Sequence, residues 1–286
     1  MALTATQTSI TKLYLGAFNR APEKSGLEYW DAELRAGKPM NEIVDTIFSL
    51  PIVKEIYPDA MSNAAFLTAV YSNVFGKQPD AAGLAYWNSQ LTAGEQRGRV
   101  VIKMIDAGIN APDGTEGKAF VVNRLQAATY SADLQLQRGV DIGEHEQHVL
   151  MESINGDPAS LTAGLAAIDR ATPTPIAANG QATGTGTAGS DRFVFGASDA
   201  ANWKVINGLT ASDQISVAIP DDTNGDFRRT PEIGAAAVNE HGEWFWDQPS
   251  HVLVYWNAYS NSSQMVQLTG VNSLVADTNA IFTVTG

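Results

Sequence analysis

One stretch of this chain is written twice, and that repetition constrains the fold more than any other feature. Pro22–Gly37 reads PEKSGLEYWDAELRAG and Pro79–Gly94 reads PDAAGLAYWNSQLTAG, 57 positions on with no insertion between the copies. The shared pattern is P-x-x-x-G-L-x-Y-W-x-x-x-L-x-A-G, and upstream Tyr14 and Phe18 match Tyr71 and Phe75. A fixed internal offset marks one supersecondary unit used more than once. The pattern is helical: Pro sets the start, Leu27, Trp30 and Leu34 share one stripe, and Gly37 stands where a C-cap glycine belongs. Trp and Tyr at this spacing predict core packing rather than a binding surface. Gly26 and Gly83, inside the helices, should each cost about 1 kcal/mol relative to Ala. Their repetition predicts a close helix approach beneath the Trp, or a tight entry into the helix.

Helical spacing extends on both sides. Ile10, Leu13, Tyr14, Ala17 and Phe18 form one stripe over residues 5–19, and Asn41 can cap a helix that Pro51 ends. Ser62 or Asn63 opens the second copy. Further helices are expected over 95–107, 117–137, 143–154 and from Asp157-Pro158 to Arg170. Composition then changes. Residues 171–190, rich in Thr, Gly, Ala and Pro, read as a linker. Beyond it short runs such as RFVF, QISVAI, HVLVYW and IFTVT alternate with turn residues, the spacing of an antiparallel β domain. The expected class is α+β and multidomain: an all-α repeat domain over 1–170, the linker, and a calcium-associated antiparallel β domain over 191–286, a β-sandwich or β-roll cap.

Charge narrows the partners. A net charge of −13 argues against nucleic acid and anionic membranes, which need basic surface. No run of 18 apolar residues exists to span a bilayer. With no cysteine there are no disulfides and no thiol chemistry.

Acidic turns are the candidate metal ligands. Asp191 lies in a glycine-rich turn, Asp213 follows Thr210-Ala-Ser, and Asp221, Asp222, Asn224 and Asp226 set oxygen side chains close together beside Gly225. Ca²⁺ takes six to eight oxygens in a flexible cage, which such turns can offer. The third loop is a partial match to D-x-[DN]-x-[DN]-G without the distal Glu, and reads equally as a solvated Asp-Asn-Gly loop.

Two resemblances follow from these residues. GSDRFVF at 189–195, with INGLTASDQI at 206–215, resembles the closing segment of repeats-in-toxin proteins exported by type I secretion. That family implies calcium at the acidic residues, an uncleaved C-terminal export signal and a secreted or cell-surface location. Asn207-Gly-Leu stands where the family usually has Asp-Phe, and there is one degenerate glycine turn rather than an array. The N-terminal repeat is similar to a bacterial domain family of unknown function found in exported surface and repeat proteins, distantly like phycobilisome linker domains. It implies a structural or attachment role.

Enzyme signals are thin. Glu144-His-Glu-Gln-His148 sets two histidines at i, i+3, one short of the metalloprotease spacing, and reads as an exposed polar helix. Trp244, Trp246, Tyr255 and Trp256 could stack sugar rings or fill a β core. Taken together, the residues and resemblances point to a non-enzymatic extracellular structural protein. It would be a subunit of a surface layer, sheath or filament, assembling with its own copies and with Ca²⁺. The alternative is a module that binds surface polysaccharide; a secreted hydrolase stands third.

Overall fold

The computed structural model describes residues 2–177, 183–195, 203–217, 244–248, 250–257, 262–276 and 281–285. The chain divides into two compact units, Met1–Thr172 and Pro173–Gly286, and its fold class is α+β.

The first unit holds ten helices: α1 (Ala5–Phe18), α2 (Lys24–Arg35), α3 (Met40–Ser49), α4 (Pro51–Ile56), α5 (Asn63–Phe75), α6 (Ala81–Thr92), α7 (Arg97–Ile109), α8 (Lys118–Arg138), α9 (Glu144–Glu152) and α10 (Pro158–Ala171). Local chemistry sets several ends. Thr4 and Gln7 form a reciprocal capping box on α1, Ser62 caps α5 through the Ala65 N–H, and Asp157 caps α10 with Pro158 at its first position. Gly37 follows α2 with φ of +96°, a conformation that favours glycine. Pro39, not Asn41, precedes α3. Pro51 ends α3 as expected but also opens the short α4, because a proline lacks only an N–H that a first turn leaves unused.

α1 lies at the centre and packs on α2, α7 and α8. Its Ile10, Leu13 and Tyr14 join Leu27, Trp30, Ile43, Phe66, Val70, Val101 and Met104 in one core. A second cluster, with Ala127, Leu150, Met151 and Ile168, binds α8 to α9 and α10. Arg124 fastens this seam. Buried over Phe120, it donates to the Met151 carbonyl at 2.7 and 3.1 Å, the Asn73 carbonyl at 2.9 Å and Asn19 Oδ1 at 2.7 Å.

The repeat glycines have a reason different from the expected one. A Cβ on Gly26 would stand 2.4 Å from the Tyr14 hydroxyl, and one on Gly83 2.5 Å from the Tyr71 hydroxyl. Each glycine therefore admits the tyrosine of the preceding helix. The Tyr-Trp pairs are core only in part. Trp30 is buried and Trp87 half-buried, but Tyr29 and Tyr86 are exposed, each edge-on to its Trp at 4.8 Å. Adjacent helical residues point about 100° apart, so a buried Trp turns its neighbour outward.

The second unit holds β1 (Thr174–Ala177), β2 (Thr183–Thr185), β3 (Asp191–Phe195), β4 (Val205–Asn207), β5 (Gln214–Val217), β6 (Trp244–Asp247), β7 (Val252–Asn257), β8 (Ser262–Leu268), β9 (Leu274–Ala276) and β10 (Ile281–Val284). They make two five-stranded sheets, ordered β1-β3-β5-β10-β9 and β2-β4-β8-β7-β6. The expectation of an antiparallel domain is corrected here, for the sheets are mixed. β1, β3 and β5 run parallel, as do β2, β4 and β8, whereas β6-β7-β8 and β5-β10-β9 are antiparallel. From β1 to β5 the chain alternates between the sheets, so each return to a sheet runs in the same direction. The stretch 171–190, read as a linker, carries β1 and β2. Thr-Gly-Thr has no apolar alternation to announce a strand; its pairing with β4 makes it one. Phe193, Phe195, Ile206, Ile215, Leu253, Val266 and Phe282 fill the core around Trp203, whose ring meets Phe193 and Phe195 edge-on.

Candidate functional site

The parallel half of the second unit brings two of the expected metal ligands together. Gly184 lies opposite Ile206 and Arg192 opposite Gln214, 22 residues on in each case. GSDRFVF at 189–195 thus stacks on ASDQISV at 211–217, and Asp191 and Asp213 occupy equivalent places at the mouths of β3 and β5. Both are fully buried. The Asp191 carboxylate accepts from the Thr187 N–H and hydroxyl. Asp213 Oδ2 accepts from the Thr210 N–H at 2.7 Å and hydroxyl at 3.1 Å, while Oδ1 accepts the Asp191 N–H at 2.9 Å. Ser190 and Ser212 hydroxyls meet at 3.2 Å, and Arg192 Nε donates to Gln214 Oε1 at 2.8 Å. Gly186 completes the stack, since a Cβ there would come within 2.7 Å of the Gly208 carbonyl oxygen.

Each aspartate therefore closes its own turn, and Asp213 also holds the turn stacked on it. Burial pushes the Asp213 carboxyl up, against the hydrogen bonds from Thr210 and Asp191 that pull it down; the Asp191 charge adds to the rise. Hydroxyl oxygens of Thr187, Thr210, Ser190 and Ser212 lie around the pair, and oxygen is the ligand type that a hard cation such as Ca²⁺ takes. Among the described residues no three His, Cys, Asp or Glu side chains converge as a metal group. Asp221, Asp222, Asn224 and Asp226 lie outside the described residues. The roles of Thr187 and Thr210 were missed in the sequence, although the 22-residue offset was there to be read.

Other candidates separate. His145 is exposed on α9, and His148 pairs with Glu152 at 3.1 Å. Trp246 is half-buried, and β6 and β7 place Trp244 opposite Tyr255. In the first unit a cleft of about 320 Å³ opens between α1, α3 and α7, with Leu13, Met40, Val44 and Ile102 among its apolar lining. Its cations are matched one by one: Lys12 with Asp106, Arg99 with Asp45, Lys103 with Glu95.

No curated protein and no solved structure matches the chain. Residues 51–110, from α4 to the end of α7 and so including the second copy of the repeat, match the family described as Domain of unknown function (DUF4214).

Proposed function

We propose that this chain is a non-enzymatic extracellular structural protein, a subunit of a surface layer, sheath or filament that assembles in a calcium-dependent way. The observation that carries this reading is the stacked pair of aspartate turns on parallel strands that alternate between two sheets. It supports the likeness of the second unit to a repeats-in-toxin closing segment, and with it secretion by a type I route. Asp191 and Asp213 would supply carboxylates to calcium, with Asp221, Asp222, Asn224 and Asp226 as further oxygen donors. Unpaired by a cation, these acids oppose compaction, because few basic residues lie in this half of the chain. Extracellular calcium modules bind at roughly 10⁻⁴ to 10⁻³ M, so the second unit would gain stability outside the cell by mass action.

The test follows melting of the second unit and particle length by electron microscopy through one calcium titration. Both should rise with calcium, and Asp191→Asn with Asp213→Asn should abolish the response. The reading fails if chelation changes neither quantity and the double variant assembles as the wild type does.

A second reading, attachment to surface polysaccharide, is favoured by Tyr29 and Tyr86, 56% and 57% exposed and each braced edge-on by a tryptophan. Sugar rings stack on such faces. Retention on polysaccharide without polymers would favour it.

A further inference from the structure

The 57-residue offset sets one junction of the first unit against its own counterpart. In the second copy, α5 meets α7 through Phe66 and Arg97. The ring is fully buried, the guanidinium lies over it at 4.8 Å, and Arg97 also donates to the Pro58 and Met61 carbonyls. At the equivalent positions the first copy has Ser9 on α1 and Met40 on α3. Ser9 turns its hydroxyl back to the Ala5 carbonyl at 3.0 Å, and both residues line the cleft of about 320 Å³ between α1, α3 and α7. The second copy closes this junction with an aromatic ring under a cation. The first leaves it open.

What surrounds the opening suits the parts that are missing. Leu13 and Val44, the counterparts of Val70 and Val101, are buried at its floor, with Met40 and Ile102 half-buried beside them. An apolar lining with a few converging polar groups, at this volume, is the make-up of a small-molecule site. Three cations, Lys12, Arg99 and Lys103, line it against two carboxylates, Glu95 and Asp106. Arg99 forks onto Asp45, which lies outside the lining. The cleft is therefore lined by an excess of positive charge on a chain of net charge −13. Lys12 and Lys103 hold their carboxylate partners at part-exposed positions, where sharing a partner costs little.

We infer that this cleft binds a small aromatic carboxylate. Its ring lies between α1 and α3, where the second copy places Phe66, and Lys12 and Lys103 hold its carboxylate at the rim. The inference stands apart from the assembly reading, since none of the proposed calcium ligands lines this cleft, and its test is made in chelator.

Isothermal titration calorimetry of the full chain in EDTA compares three probes: 3-phenylpropionate, hexanoate with the charge but no ring, and 3-phenylpropylamine with the ring but the opposite charge. The first should bind, and the other two should each bind at least about tenfold more weakly. Ser9→Phe restores the ring of the second copy and should abolish binding. Should that variant melt lower than wild type, Lys12→Met at the part-exposed rim decides instead, with affinity for 3-phenylpropionate falling about tenfold through loss of one charge-assisted hydrogen bond. No heat from 3-phenylpropionate up to about 10 mM overturns the inference. So does equal binding of hexanoate or of the amine, or wild-type affinity in a folded Ser9→Phe or Lys12→Met chain.

Discussion

Adding one methyl group to each repeat glycine should have unequal effects, although the motif is the same. Within a helix, Gly→Ala stabilises by about 1 kcal/mol through backbone entropy alone. At Gly26 the new Cβ would lie 2.4 Å from the Tyr14 hydroxyl and 3.3 Å from its Cζ. Tyr14 is only 5% exposed and sits under the Arg20 guanidinium, so its ring has nowhere to go. Overpacking of this kind costs roughly 1–3 kcal/mol. Gly26→Ala should therefore destabilise the first unit by up to about 2 kcal/mol after the helical gain. At Gly83 the clash is with Tyr71, which is half-buried and can swing outward. Gly83→Ala should be neutral or stabilising by up to about 1 kcal/mol. Urea unfolding followed by helical ellipticity measures both. Tyr14→Phe completes a double-mutant cycle by removing the atom that clashes. Combined with Gly26→Ala, it should give a pair no less stable than Tyr14→Phe by itself. Equal effects at the two glycines, or additivity in the cycle, would refute the argument that the tyrosine hydroxyl selects glycine.

Two further outcomes are expected. Arg124→Met should cost about 3 kcal/mol or more, because the buried Met151 carbonyl on α9 and the partly buried Asn73 carbonyl on α5 and Asn19 Oδ1 after α1 lose their donor, and Arg124→Lys should recover little of it, lacking the planar fork; the denaturant midpoint reads both. Burial raises the Asp213 carboxyl above its ordinary 3.8, so between that value and the raised one the folded state binds more protons than the unfolded state. Stability from this group is thus present below 3.8 and lost as pH rises through the folded value. In chelator, calorimetric melting of wild type minus Asp213→Asn should shift in favour of wild type as pH falls from about 7 to 4, and a shift the other way would contradict the sign.

What the sequence determined is what short-range chemistry controls. The 57-residue repeat and the helix starts at Ser62 and Asp157-Pro158 were legible because caps, prolines and apolar spacing act within a turn or two. The tertiary structure decided the rest. α2 has no side-chain cap of its own; Asp141, 117 residues further on, accepts the Lys24 N–H at 3.0 Å, whereas α6 is capped by its own Asp80. The same motif therefore yields one covered helix and one open one, a difference set by which distant segment returns to it. Parallel pairing was hidden for the same reason. Strands such as Thr183–Thr185 and Val205–Asn207 are too short to speak by propensity, and only stacking at 22 residues gives their backbone groups partners. Asp191 and Asp213 stood out by charge, yet their joint burial depends on that stacking, which brings the N–H of one to the carboxylate of the other.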